Sequence, residues 1–332
     1  ISKGSVTKMS ERMPSQGDAE LAPVDLGHNV WMIDLMEQGQ RCRSAAYLIL
    51  DEKITLIETG SALSHDLLIE SMARLHVQPE DLAYVIVTHV HLDHAGGAGP
   101  MMEKATNAKL VVHPRGARHM IDPSKLWAGA SQVYGEQIAA LFGFVSAVDE
   151  AKILVRDHLD TLTLGERTLT FFDSPGHAKH HFAIHDPLSN AVYAGDALGI
   201  RYRECFTGWD FEWIMPSTSP IDFDPAAVHR TAAMLQEVPF QWVYHTHFGK
   251  SPKQEAIAQT ERCADAMADL IARVYTPGVT VEAVVEALRS WVVQDLTEQG
   301  YTPGTNVDVL DIDVILDALG LMYYEEKNRA TS

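Results

Sequence analysis

The chain has 332 residues, 46% of them apolar, enough for the core of one large soluble domain or two small ones. Against 26 Lys and Arg stand 45 Asp and Glu, a formal net charge of −19; this argues against DNA, RNA or an anionic membrane as partner, since those need clustered cations to displace counterions. The three cysteines, Cys42, Cys205 and Cys263, are far apart and form no C-x-x-C pair, so we expect small buried apolar residues, with neither a disulfide framework nor a thiolate metal site.

Residues 1–23 read as a polar leader without the apolar run of a secretory signal. No later stretch approaches the roughly 20 apolar residues of a membrane helix, and a cytoplasmic location is expected. Short β-type runs follow at 28–34, 45–50 and 54–58, then a helix over 64–76 with Leu67, Leu68, Met72 and Leu75 at helical spacing, and a buried strand at 84–88. A helix over 94–104, a strand at 109–113 and helical stretches on either side of Pro123 up to Phe142 continue the alternation. From about Lys152 the chain is strand-rich again, with hairpins at 161–173, around Gly165-Glu166, and at 182–194. Beyond Pro252 three helices are expected, at 254–275, 281–296 and 309–323, punctuated by Pro277-Gly278 and Pro303-Gly304. The pattern predicts an α/β (α+β) body over 24–251, with two sheets and helices outside, and a helical extension over 252–332 packed on it.

The densest chemical signal is the run from Thr88 to Gly97, which places His89, His91, Asp93 and His94 directly after the buried strand. In an extended backbone, side chains two apart point the same way, so His89 and His91 can share one metal ion while the turn into a helix aims Asp93 and His94 at a neighbouring one. Three later segments each set an acid or an imidazole at the end of an apolar run: Pro175-Gly176-His177, Gly195-Asp196 and His245-Thr246-His247.

This ordered set, H-x-H-x-D-H, then P-G-H, G-D and a final His before an aromatic residue and Gly, resembles the metallo-β-lactamase superfamily over about Val24 to Gly249. The resemblance implies a four-layer αββα sandwich with a metal site along one edge of its two sheets. It implies that His89, His91 and His177 hold a first ion, Asp93, His94 and His247 a second, and that Asp196 bridges them. The donors suit zinc, with Mn or Fe as alternatives. Two such ions lower the pKa of a water between them to about 7 and make hydrolysis the natural outcome, with Asp93 placed to orient that water and carry its proton. The expected substrate is a small molecule with an ester-type bond, lactone or carboxylic ester ahead of thioester or phosphoester; the homoserine-lactone lactonases share the 89–97 pattern, and glyoxalase II is similar in general layout.

His247 is preferred over His245 because an aromatic residue and Gly follow it. His180, His181 and His185 are placed along a strand, with His181 a candidate support for His177 or Asp196. Glu58 stands where the family usually has a buried Asp, and is assigned the same supporting role. Arg201 and Tyr202 follow Asp196 where such enzymes build the substrate pocket, and Tyr202 is a candidate hydrogen-bond donor to substrate. The glycines from Gly96 to Gly99 read as close packing beneath the metals. The insert from Leu126 to Phe144 reads as a lid, a dimer contact or core, and a homodimer is the family habit. The alternatives are a mononuclear iron dioxygenase of the persulfide type, using His89, His177 and Asp196, and a non-catalytic binding protein. The flavodiiron oxidoreductases usually carry an acid where His91 stands.

Overall fold

The computed structural model describes residues 21–301 and 306–331. Most of the 1–23 leader and the Pro303-Gly304 punctuation therefore lie outside the described residues.

The first half builds a seven-stranded sheet in chain order: β1 (Val24–Asp25), β2 (Val30–Asp34), β3 (Ala45–Ile49), β4 (Thr55–Ile57), β5 (Tyr84–Ile86), β6 (Lys109–Val112) and β7 (Ile153–Val155). Pairing is antiparallel up to β4 and parallel from β4 to β7. Each parallel step needs a crossover. These are supplied by α1 (His65–Arg74), by α2 (Leu92–Ala95) with α3 (Ala98–Lys104), and by α4 (Pro114–Ile121), α5 (Ser124–Tyr134) and α6 (Ile138–Phe142). The single helix expected over 94–104 is thus two helices. The chain breaks at Gly96-Gly97 because both sit hard against the 59–62 backbone: a Cβ on Gly97 would come 2.8 Å from the Thr59 carbonyl, and one on Gly96 3.1 Å from Ser61 Cα.

The second sheet has the order β15-β14-β11-β10-β9-β8. It comprises β8 (Thr161–Thr163), β9 (Thr168–Asp173), β10 (Phe182–Asp186), β11 (Ala191–Gly195), β14 (Trp242–His245) and β15 (Gly249–Pro252). Between β11 and β14 the chain forms a small hairpin of β12 (Ile200–Tyr202) and β13 (Trp213–Met215), interrupted by α7 (Glu204–Thr207), and then α8 (Pro225–Glu237), which makes the crossover for the parallel β11–β14 pair.

The alternation of side chains along the strands assigns the layers. Tyr47, Ile49, Ile57, Ile86 and Val111 face Phe171, Phe182, Ile184, Tyr193 and Tyr244 of the other sheet. Their neighbours Ala46, Leu48, Leu56, Val85 and Leu110 face outward onto Leu68, Met72 and Met101 of α1 and α3. On the far side Ala183, Val192 and Val243 pack against Ala232 and Leu235 of α8 and against Ala256 and Ile257 of α9 (Lys253–Val274). Both sheets are covered on both faces, which is the expected four-layer αββα sandwich. Each fully buried Leu, Ile or Phe contributes about 1.5–3 kcal/mol to holding it together.

Helix α9 continues into α10 (Val281–Glu298) and α11 (Asp311–Thr331). Met267, Leu270 and Ile271, Leu288 and Val292, and Val314, Ala318 and Leu321 form one core with Trp209, Trp213 and Phe223 from the segment after Asp196. The C-terminal helices therefore cover the side of the body that carries the end of β11. None of the described helices is long and apolar enough to cross a membrane.

The cysteine expectation is corrected. Cys42, before β3, and Cys205, in α7, are joined in a disulfide with Cα atoms 5.9 Å apart. Partners separated by 163 residues leave no sequence pattern, because only the fold brings their loops together. Cys263 is buried and free, as read.

Candidate metal centre

Strand β5 ends two residues before Thr88. The chain bends at Thr88 and His89, and His91, at φ −63 and ψ 155, is the residue before α2. Asp93 and His94 are then turned by α2 onto the adjoining side. Thr59 locks this turn, its N–H and hydroxyl both donating to the His94 carbonyl at 3.0 and 2.8 Å. Gly195, at φ +50, makes the sharp exit from β11 that delivers Asp196. A Cβ there would lie 2.4 Å from His181 Nε2 and 2.6 Å from Thr88 Oγ1, so only glycine fits.

The seven residues singled out from sequence converge. His91 Nδ1 is 2.9 Å from both His89 Nε2 and His177 Nε2. Next to this trio, His247 Nε2 is 3.2 Å from His94 Nε2 and 3.3 Å from Asp93 Oδ2. Asp196 lies between the two groups: Oδ1 is 3.3 Å from His94 Nε2 and 3.6 Å from His247 Nε2, and Oδ2 is 3.4 Å from His177 Nε2. His245 is turned away, bonded to the Gly199 carbonyl at 2.8 Å and to Ser251 Oγ at 2.5 Å.

The outer nitrogens decide what the inner ones can do. His177 Nδ1 donates to the Ser217 carbonyl at 2.9 Å, His247 Nδ1 to the Arg43 carbonyl at 2.7 Å, His89 Nδ1 meets Thr88 Oγ1 at 3.1 Å, and His94 Nδ1 meets Glu58 Oε2. A ring that donates outward keeps its lone pair inward, the arrangement a metal ligand needs. Glu58 is fully buried and also accepts from the Thr88 N–H at 2.6 Å and the Thr246 hydroxyl at 3.2 Å, so the extra methylene relative to Asp is accommodated. His181 precedes β10 rather than lying in it; its Nε2 accepts from the Asp196 N–H at 3.2 Å while Nδ1 pairs with Ser174 Oγ at 2.7 Å.

Electrostatics separates the two groups. Burial, reinforced by neighbouring imidazoles, pushes His89 and His91 well below the ordinary histidine value, so both are neutral. Burial would lower His94 too, but the carboxylates of Asp196, Glu58 and Asp93 outweigh it and raise His94 well above that value; Asp196 and Asp93 do the same to His247. Asp196 is buried, which favours its neutral form, yet His94, His247 and His177 hold it well below the usual carboxylate range. The second group is thus built to hold positive charge. Asp196 Oδ1 is buried with no hydrogen-bond partner among the described residues, an orphan that a cation would satisfy. The neutral imidazoles of the first group, the positive charge that the second group favours, two carboxylates and this orphan fit divalent ions such as zinc. Three ligand groups are close enough to act together: His89, His91 and His177; His89, His94 and Asp196; and Asp93, His94 and His247.

A pocket opens beside the second group, lined by Arg43, Asp93, Asp196, Tyr202, Phe206 and Asp313 among others. Arg201 and Tyr202 reach it, but their polar groups are engaged. The Arg201 guanidinium bonds Glu212 at 2.6 Å and Glu255 at 2.9 Å, and the fully buried Tyr202 hydroxyl donates to Asp313 Oδ2 at 3.1 Å. Arg43, Ser217 and Asp313 were not singled out from sequence. Two act through backbone carbonyls, which any residue type supplies, and Asp313 belongs to a helix distant in sequence. The insert gathers Trp127, Tyr134, Ile138 and Phe142 around Leu92, the neighbour of Asp93, in a small cluster of its own.

Fold and centre together define an αββα protein with a buried cluster of His and Asp side chains that could hold metal ions. The family model of the metallo-beta-lactamase superfamily matches residues 39–244, and the chain belongs to that superfamily. Metallo-beta-lactamase fold-containing protein ST1585 of Sulfurisphaera tokodaii is 24% identical over 54% of this chain and 62% of its own length. Its crystal structure superposes with a TM-score of 0.63 at 19% identity, covering 89% of this chain and 98% of that one. Rubredoxin-oxygen oxidoreductase of Megalodesulfovibrio gigas is 27% identical over 39% of this chain and 26% of its length. Hydroxyacylglutathione hydrolase of Maricaulis maris is 30% identical over 33% of this chain and 32% of its length. The chain thus spans less than two thirds of each of these curated relatives.

Proposed function

We propose that the protein is a hydrolase that holds two divalent metal ions, zinc by preference, and cleaves an ester-type bond in a small molecule, with lactone or carboxylic ester ahead of thioester or phosphoester. The observation that carries the reading is the placement of Asp196, within 3.3–3.6 Å of nitrogens from both histidine groups. His89, His91 and His177 would hold one ion and Asp93, His94 and His247 the other. Bound there, the ions would polarise the bond under attack and make water a nucleophile near neutral pH.

The chain's own residues do the rest. Of the two carboxylates, Asp196 is fixed at 5% exposure, whereas the Asp93 side chain is 31% exposed and lines the pocket. Asp93 is the group that orients the attacking water and takes its proton. Phe206, Ile200 and Leu316 give the pocket an apolar wall, and Arg43 sits over the Phe206 ring at 5.2 Å. Such a pocket suits a small, partly apolar substrate. The relative that is a hydrolase by name supports the reaction class, and His91 at the centre of the first trio supports it over the oxidoreductase branch.

The test is elemental analysis of purified protein followed by hydrolysis of lactone, aryl ester, thioester and phosphodiester panels with and without chelator. About two zinc or manganese ions per chain and chelator-sensitive turnover are expected. A single iron ion, oxygen consumption and no hydrolysis would replace this reading with the dioxygenase.

A further inference from the structure

Helix α11 carries two buried carboxylates that the mechanism does not use. Asp313 is 6% exposed and Asp317 2%. They are four residues apart, with Gly320 three further on, so all three lie on one helix face. Each makes contact with a segment that holds a metal-ligand histidine. Asp313 accepts a bidentate pair from the Arg43 guanidinium, at 3.0 and 2.5 Å, and the carbonyl of Arg43 is the nearer partner of His247 Nδ1, at 2.7 Å, with the neighbouring Ser44 Oγ at 3.0 Å. Asp317 Oδ1 accepts from the Thr218 N–H at 2.7 Å, and the single proton of the Thr218 hydroxyl is shared between the Asp317 backbone carbonyl at 2.9 Å and Oδ1 at 3.1 Å. On either side of Thr218, the Ser217 carbonyl accepts from His177 Nδ1 at 2.9 Å and the Ser219 hydroxyl donates to the His177 carbonyl at 3.0 Å. Gly320 lets the helix come this close, since a Cβ there would lie 1.7 Å from the Thr218 carbonyl.

We propose that α11 braces the metal centre from outside, Asp313 positioning His247 through Arg43 and Asp317 positioning His177 through the 217–219 loop. Closing the helical core would not require this. Leu, Val or Met at these positions would bury as much surface without the cost of desolvating two polar carboxyl groups. What the acids add is direction: each fixes a backbone carbonyl, and that carbonyl fixes an imidazole ring. The two residues act on different histidines, so their removal has different consequences at the two ion sites.

The inference rests on the two-ion reading, and the experiment separates them. Zinc affinity is measured by competition with a chromophoric chelator, site occupancy by anomalous diffraction at limiting zinc, and apoprotein stability by thermal melting. The proteins are wild type, Asp313→Ala, Asp313→Asn, Asp317→Ala, Asp317→Asn, Thr218→Val and, as a control in the same helical core, Leu288→Ala. By the usual weight of a ligand's outer partner, Asp313→Ala and Asp313→Asn should weaken the Asp93, His94 and His247 site about 10–100-fold, leaving the other within about threefold. Asp317→Ala should do the same to the His89, His91 and His177 site, and Asp317→Asn, which keeps an acceptor for Thr218, should restore it. If Asp317→Ala does not fold, the near-isosteric Thr218→Val removes the hydroxyl's contacts with the Asp317 carbonyl and Oδ1, keeps the N–H contact, and should shift the same site in the same direction by a smaller factor. Variants that weaken both sites in step with melting temperature, the behaviour expected of Leu288→Ala, or that change neither site, overturn the brace and leave the two-ion centre standing. Wild-type protein that takes up no ion overturns the metal-centre reading, and the brace with it.

Discussion

The two histidine groups lie side by side yet are held by different chemistry. Behind His89 and His177 stand a hydroxyl and a backbone carbonyl, and burial keeps His89 and His91 neutral. Behind His94 stands the buried carboxylate of Glu58, with Asp93 alongside, and His94 and His247 are raised above their ordinary value. On the two-ion reading, the trio of neutral nitrogens would hold its ion by donor strength, with only the shared Asp196 carboxylate for charge. The second group adds fixed negative charge, which holds a cation more tightly and lessens its residual charge. Asp196 is the only carboxylate of the set facing both groups, so it should be where they cannot be separated. Asp196→Ala is therefore predicted to remove both ions together and to lower kcat/KM by about 10³-fold or more, the equivalent of several kcal/mol of transition-state stabilisation. One ion retained at full occupancy would show that the groups are independent.

The disulfide lies on the side of the second group. Cys42 precedes Arg43, whose carbonyl meets His247, and Cys205 precedes Phe206 of the pocket lining. Closing so long a loop, its loss in Cys205→Ser should cost about 2–5 kcal/mol of stability. The comparison is sharpened if zinc is lost from the second group before the first. Equal loss at both would mean that the cross-link serves the whole body.

Next come the outer partners themselves. Glu58→Gln keeps the shape but removes the charge behind His94, and should weaken the second site about 10–100-fold. Thr88→Val removes only a hydroxyl from behind His89 and should cost about 1 kcal/mol, or less than tenfold, at the first. Zinc competition on both variants reads the difference. A Thr88→Val loss as large as that of Glu58→Gln would contradict the idea that charge separates the groups.

How legible these features were in the sequence depends on how locally each is encoded. His89, His91, Asp93 and His94 are contiguous, and the strand before them is a continuous apolar run, so chain direction alone puts them in one place. His177, Asp196 and His247 each follow an apolar run and a short fixed pattern. The layers followed from alternation such as Ala46 and Leu48 against Tyr47 and Ile49. Helix α8 was legible but unread. Asp224 caps it by accepting from the Ala227 N–H, Pro225 stands in its first turn, and Val228, Ala232 and Leu235 repeat at helical spacing. The Cys42–Cys205 pair, the carbonyls of Arg43 and Ser217, and the docking of Asp313 and Asp317 had no local signature. Each depends on two distant segments meeting.

A last prediction concerns pH and stability rather than metal or activity, and it tests the outer support of the first group. Asp317 is buried, which disfavours its ionised form; Asp313 adds repulsion, and the donations from Thr218 only partly oppose them, so its pKa is pushed up from 3.8 to about 8. Oδ1 is occupied by Thr218, leaving Oδ2 for the proton. The folded protein then keeps a proton that the unfolded chain releases above 3.8, so the unfolded state binds fewer protons throughout this window. Stability must fall as pH rises from about 4 towards about 8 and level off beyond. Asp317→Asn does not titrate. It should match wild type near pH 4.5, melt at a higher temperature at pH 8, and still supply the acceptor that Thr218 needs. Melting curves of the two apoproteins across that range read the sign directly. A variant less stable than wild type at pH 8 would mean that the carboxylate is ionised in the fold and that α11 holds the 217–219 loop by charge.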